Sequence, residues 1–178
     1  MTGAMYEAGY GSRVRIKYTI ADCLLGRVLV AATEKGVCAV RLGDSDRTLE
    51  SDLLREYPAA DVTRDEKTLA KWVEQLVDHL AGKRPHLDLP LDVQATAFQW
   101  TVWEKLGEIP YGSTRSYSDV ARAIGRPTAT RAVARACATN PVALVIPCHR
   151  VVREDKSLGG YRWGLERKKA LLAREATD

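Results

Sequence analysis

The stretch Tyr117–Asn140 reads YSDVARAIGRPTATRAVARACATN, two short helical patterns broken by Gly125-Arg126-Pro127. Ser116 or Tyr117 can start the first helix, Val120, Ala121 and Ile124 supply its buried side, and Gly125 ends it. Pro127 prevents simple continuation, and Thr128 is placed to cap the second helix. Helix, three- or four-residue turn with Gly, helix is the helix-turn-helix unit, although two consecutive helices also occur in any α+β protein. In the second helix Ala129, Ala132, Ala134, Ala136 and Ala138 leave little side chain, while Arg131 and Arg135, four apart, project from one side. Small residues let a helix approach a groove, and arginine can contact phosphate or fill a vacated base stack. The same alanines also suit a helix packed tightly on its neighbour, and the pattern alone leaves both open.

Outward from this stretch, Thr96 followed by Gln99 is a capping-box signature, and Phe98, Val102, Trp103 and Leu106 continue a helical face that should stop near Gly107. On the other side, Val142–Ile146 (VALVI) predicts a buried strand or extended segment, and Pro147 fixes the backbone before Cys148 and His149. An ordinary buried cysteine is inert, but a histidine in hydrogen-bond reach can take its proton and a carboxylate can orient that histidine. Neighbouring side chains of an extended segment point apart, which favours a relay through water over a direct Cys148–His149 contact. Cys148 is thus a candidate nucleophile, with a structural cysteine as the alternative.

The first half differs in character. RVRIKYTI alternates, with Val14, Ile16, Tyr18 and Ile20 on one face of a strand; GRVLVAA and GVCAVRL are further strands joined by the hairpin signal TEKG. Helical spacing follows at Leu49, Leu53 and Leu54, then at Leu69, Trp72, Val73, Leu76, Val77 and Leu80, ending at Gly82. KRPHLDLPLD is a connection with a short strand at Leu87–Leu91. Residues 1–12 are small, Gly-rich and unpatterned, a flexible lead-in.

Cut near Ala95, residues 1–95 carry 13 Lys/Arg against 15 Asp/Glu and residues 96–178 carry 14 against 8, so the overall +4 conceals a basic second half. Arg115, Arg122, Arg126, Arg131 and Arg135 surround a single carboxylate, Asp119, a local excess suited to a polyanion or to a solvated face. No uncharged apolar run approaches a membrane span and no signal-peptide pattern starts the chain, so the expected compartment is the cytoplasm. Cys23, Cys38, Cys137 and Cys148 are expected as free thiols. Cys23, Cys38, His79 and His86 could in principle hold zinc, but lack the usual ligand spacings; otherwise the cysteines pack in strands and the histidines lie near the surface.

Pro147-Cys148-His149-Arg150-Val151, with IPYGSTRSYSDVARAIGRPTATRAVARACATNP before it and LGGYRWG after it, resembles the O6-alkylguanine-DNA alkyltransferases. SLGGYRWGLERKKALLAREA is most similar to the alkyltransferase half of Ada adaptive-response regulators, whose cysteine-rich metal-binding domain this chain lacks. The resemblance implies an α+β fold: an N-terminal ribonuclease-H-like α/β domain with antiparallel strands, residues 1–91, and a mostly helical domain with the helix-turn-helix, residues 96–178.

By resemblance Cys148 is the alkyl acceptor, His149 its base through a water, and Glu175 the carboxylate that orients His149. Asn140 ties the helix-turn-helix to the active-site segment, Tyr117 assists guanine leaving, and Arg131 replaces the extruded nucleotide. Thr128, Ala129, Ala132 and Arg135 would meet DNA; Val151, Tyr161, Arg162 and Trp163 would line the guanine pocket. Other members tend to have smaller residues at the last two positions. The family transfers an alkyl group from O6-alkylguanine, and from O4-alkylthymine, to its own cysteine once per molecule, without metal or methyl donor. The implied partner is duplex DNA bound through its minor groove by a monomer, with an Ada regulatory domain, fused or separate, outside this chain. The competing readings are a lesion-binding module that does not react, and a cysteine hydrolase with turnover.

Overall fold

A computed structural model describes residues 14–176; the lead-in expected at residues 1–12 lies outside them. The chain divides into two compact units, Met1–Gln94 and Ala95–Asp178.

In the first unit β1 (Arg15–Cys23), β2 (Gly26–Ala32) and β3 (Val37–Gly43) form an antiparallel meander. Ile16 and Ile20 of β1 are buried with Leu29, Ala31 and Ala39, and Leu49 and Leu53 of α1 (Asp46–Glu56) close that cluster, with Val14 and Tyr18 packed at its edge. The period-two alternation in the sequence is thus the face that meets α1. Val28, Val30 and Val40 are also buried, as are Leu69, Leu76 and Leu80 of α2 (Glu66–Leu80). Gly36 closes the β2–β3 hairpin against residue 90; a Cβ there would stand 2.6 Å from the Pro90 carbonyl oxygen.

A fourth strand, β4 (Asp61–Arg64), adds parallel to β1 and completes the order β3-β2-β1-β4. Sequence reasoning missed it because an edge strand of four mostly exposed residues carries no alternation. The strand expected at Leu87–Leu91 reduces to one bridge, Val37 with Leu91, because residues 87–90 make no ladder of their own. His79 is not near the surface: it is buried, with Nδ1 2.6 Å from the Arg84 carbonyl.

In the second unit α3 (Ala97–Gly107) starts at the expected box, in which Thr96 Oγ1 accepts from Gln99 N–H and Gln99 Oε1 accepts from Thr96 N–H. The strand β5 (Arg115–Ser116) leads into α4 (Tyr117–Ala123), capped by Ser116 and Asp119 in the same reciprocal way. Gly125, at φ +71°, takes the left-handed turn that the sequence assigned to it.

The second helix, α5 (Thr130–Ala138), begins later than expected: Ala129 is its N-cap and no side chain caps it. Thr128 lies exposed within a turn closed by Ala129 N–H to the Arg126 carbonyl, so its hydroxyl does not reach the helix. Val133, Ala136 and Cys137 are buried, and Trp103 Nε1 donates to the Ala136 carbonyl, locking α3 to α5.

VALVI is not a strand. Ile146 N–H closes on the Val142 carbonyl at 3.2 Å, and Leu144 sits at φ +71°. Asn140 enforces the turn by accepting from Val142 N–H and donating to the Ile146 carbonyl, both at 2.9 Å. A 3₁₀ turn (Cys148–Arg150), β6 (Val151–Val152), paired parallel with β5, and α6 (Leu165–Glu175) complete the unit.

Candidate active site

Cys148 stands at the start of the 3₁₀ turn, directly after the tight turn that Asn140 holds. Pro147 lacks an N–H and has φ −81°, so the chain enters the turn without an orphan donor. The thiol is 3% exposed, and its sulfur accepts a hydrogen bond from Asn140 Nδ2 at 3.2 Å. One amide therefore shapes the turn and touches the thiol it presents. Burial pushes the Cys148 pKa up, while Asn140, Lys168 and Arg162 pull against it.

His149 is fully buried and is not bonded to the cysteine beside it; its Nε2 donates to Glu175 Oε1 at 2.7 Å. That bond fixes the tautomer and leaves Nδ1, buried with no hydrogen-bond partner among the described residues, as an acceptor. Burial lowers the pKa of His149 against the opposing pull of Glu175, so the ring is neutral at neutral pH. Burial alone would raise Glu175, but hydrogen bonds from His149 and Arg150 hold it at about 2, ionised under all ordinary conditions.

Sequence reasoning missed Arg150. Its guanidinium grips Glu175 with two bonds, Nε to Oε2 at 2.9 Å and Nη2 to Oε1 at 3.0 Å, while Nη1 donates to the Ile109 carbonyl at 2.8 Å. Gly112 N–H adds a longer bond of 3.3 Å to Glu175 Oε2. The result is a chain of buried groups from the α3–β5 loop through Arg150, Glu175 and His149. A buried bidentate pair of this kind holds geometry rather than adding much stability. Its signal was its place in the quoted pentapeptide, beside His149 in a run that is otherwise apolar.

Cys148 opens on a cavity of about 280 Å³ lined also by Tyr117, Ala134, Cys137, Ala138, Gly160, Tyr161 and Arg162. Tyr117, the first residue of α4, has its pKa raised by burial to about 12 and remains a proton donor. Gly159 packs against it: at φ +68°, a Cβ would stand 2.8 Å from the Tyr117 hydroxyl. The hydroxyl of Tyr161 is buried with no hydrogen-bond partner among the described residues.

The structure brings Tyr117, Tyr161 and Arg162 to the cavity but not Val151 or Trp163. Val151 is buried in β6, and Trp163 stands behind the wall, edge-on to Tyr161 with ring centroids 5.3 Å apart and 5.6 Å from the Arg162 guanidinium. Arg162 is anchored by Nη1 donating to the Asn140 carbonyl at 3.0 Å.

The alanines of α5 divide between both sequence readings. Ala136 packs inward, Ala134 and Ala138 line the cavity, and Ala132 is exposed with Arg131, Arg135 and Thr128; Ala129 is half-buried. Among the described residues no three His, Cys, Asp or Glu side chains group as metal ligands, and no helix is long and apolar enough to cross a membrane.

The arrangement supplies a thiol, an acceptor nitrogen on a neutral imidazole oriented by an ionised carboxylate, a phenol donor and a small cavity, the parts needed for nucleophilic transfer. Comparisons with known proteins agree with this chemistry. Residues 97–177 match the model described as 6-O-methylguanine DNA methyltransferase, DNA binding domain, and residues 16–93 match its ribonuclease-like domain. The bifunctional transcriptional activator/DNA repair enzyme Ada of Escherichia coli is 49% identical over the whole chain, which spans 50% of that relative's length. The methylated-DNA-protein-cysteine methyltransferase of Methanosarcina barkeri is 39% identical over 90% of this chain and 98% of its own. A crystal structure of Mycobacterium tuberculosis OGT in complex with DNA superposes with a TM-score of 0.78 at 35% identity, covering 92% of this chain and 94% of that one.

Proposed function

Since the chain belongs to the 6-O-methylguanine DNA methyltransferase family, we propose that it repairs DNA by direct reversal, moving the alkyl group of O6-alkylguanine, and of O4-alkylthymine, irreversibly onto its own Cys148. The observation that carries the proposal is the buried chain Arg150–Glu175–His149 beside a thiol held by Asn140 at the wall of a base-sized cavity.

An alkyl carbon on a paired base is out of reach of a thiol, so the nucleotide must leave the stack. The exposed face of α5, with Arg131, Ala132 and Arg135, enters the minor groove; Ala129 and Thr128 lie at its leading end, and Arg131 fills the space the base vacates. The extruded guanine occupies the cavity between α5 and the Tyr161–Arg162 wall, close to the backbone of Val151.

His149 Nδ1 takes the Cys148 proton through a bridging water, and Glu175 stabilises the imidazolium that forms. The thiolate attacks the methyl carbon in line, the bond from carbon to O6 breaks, and its electron pair leaves with guanine. Tyr117 donates toward N3, which makes the departing base a better leaving group. The product is a thioether, itself a poor leaving group, so each molecule acts once. The lesion brings the alkyl group, and the reaction needs neither metal nor methyl donor. The protein acts as a cytoplasmic monomer, alone or joined to an Ada-type regulatory domain.

Peptide mass mapping after incubation with duplex DNA containing O6-methylguanine tests the proposal. We expect one methyl on the Cys148 peptide, in amounts capped by protein, and none in Cys148→Ala. Binding without methylation would point to a lesion-recognition module, and repeated ester cleavage to a hydrolase. Arg162 at the wall, braced by Trp163, should disfavour bulky substituents; methyl and benzyl transfer rates compared side by side check this, with methyl faster.

A further inference from the structure

Lys168 was not among the residues that sequence reasoning picked out, yet it is 0% exposed. Its Nζ donates to the Val151 carbonyl at 2.6 Å and to the Gly160 carbonyl at 3.1 Å, and lies 5.8 Å from the centre of the Tyr117 ring. These contacts reach three segments around the cavity: the strand after the 3₁₀ turn, the loop that carries Tyr161, and the start of α4.

All its hydrogen-bond partners are acceptors, as an ammonium requires, and none among the described residues is a carboxylate. A buried cation without a counter-charge is costly and is normally neutralised or paired. Gly160 and Tyr117, both of which Lys168 touches, line the cavity on which Cys148 opens, so the negative charge that could complete this pair is transient: the thiolate of Cys148.

We propose that Lys168 is a positioning residue of the alkyl-acceptor site, tying the Val151 and Gly160 carbonyls together around the cavity and supplying the positive field that favours the Cys148 thiolate. The inference rests on the repair function proposed above. The other groups facing the thiol are the Asn140 amide, Arg162, Cys137, the phenols of Tyr117 and Tyr161, and the His149–Glu175–Arg150 chain. Arg162 shares in the field from the wall; Lys168 differs in being wholly enclosed and in touching three segments at once. When an alkyl group is transferred the sulfur becomes neutral, and the ammonium loses its counter-charge for good.

The test uses the full chain and two readouts. Alkylation by iodoacetamide, followed on the Cys148 peptide as a function of pH, reports the thiolate without any DNA. Single-turnover methyl transfer from O6-methylguanine duplex reports the reaction. Lys168→Gln keeps a donor for one carbonyl without the charge; Lys168→Arg keeps the charge. We expect Lys168→Gln to move the thiol profile to higher pH and to slow alkylation at pH 8 on the order of tenfold, a one-unit displacement. Lys168→Arg should keep a profile near that of the parent chain. Methyl transfer should fall in Lys168→Gln, with duplex affinity unchanged. If Lys168→Met also folds, it should match Lys168→Gln; if it does not, the Gln and Arg pair decides. Identical thiol profiles in the Gln, Arg and parent proteins would overturn the field of Lys168 and leave repair standing. Failure of the parent protein itself to accept methyl would instead overturn the repair function.

Discussion

At the residue scale the site keeps its acid and base in opposite states within one buried cluster. His149 is held below its ordinary 6.5 and Glu175 is lowered from 4.5 to about 2, so in acid the unfolded chain binds protons that the folded chain refuses. Both depressed values give the same sign: the stability they contribute is full above pH 6.5 and is lost as pH falls, first through the His149 range and then from 4.5 toward 2. Urea unfolding across pH 2.5–7 checks this, and Glu175→Gln should remove the part of the slope below about 4.5. The same substitution leaves His149 without its orienting carboxylate and Arg150 without its partner. We expect methyl transfer to fall by about 10²–10⁴-fold, the contribution usual for a positioned general base, measured in single-turnover assays.

Helices, strands and turns were legible to different degrees, for physical reasons. The caps of α3 and α4 could be read because capping is local chemistry between residues three apart. The turn at 142–146 could not, since its apolar run fits a buried strand equally well. What bends it is the Asn140 side chain bonding across to Val142 and Ile146, a contact that spacing does not reveal. Arg150 and Lys168 escaped for the same reason: charged residues are assigned to the surface by default, and only the fold supplies their buried acceptors. Lys168 did leave a trace, since with Leu171 and Glu175 it marks the buried stripe of α6. Gly159 carries a prediction at this scale. Gly159→Ala would force a left-handed backbone on a Cβ set 2.8 Å from the Tyr117 hydroxyl. A stability loss of about 1–2 kcal/mol from the backbone is expected, with a larger proportional drop in transfer than in duplex binding, measured by melting and single-turnover assays.

The molecule as a whole separates charge by unit. Residues 96–178 hold 14 Lys/Arg against 8 Asp/Glu, whereas residues 1–95 are slightly acidic. Duplex affinity should therefore fall linearly in log salt, and Arg131→Ala or Arg135→Ala should each reduce that slope by about 1 if it meets a phosphate; fluorescence anisotropy over a salt series checks it. The meander β1–β3 and the helices α1 to α5 were visible from periodicity and capping, but α6, the short pair β5–β6 and the parallel edge strand β4 were not; the pairing of β4 with β1 is a long-range event written in no local pattern. Assignment of the site depended on ordered motifs rather than on composition: Cys148 and His149 alone favoured a structural thiol over a nucleophile.

The carboxylate on which His149 depends is the last residue of α6, with Ala176 as the cap behind it. Helix ends fray first, so loosening of the last turn of α6 would release His149 and Arg150 together while Lys168 and Leu171, a turn or more back, stay packed.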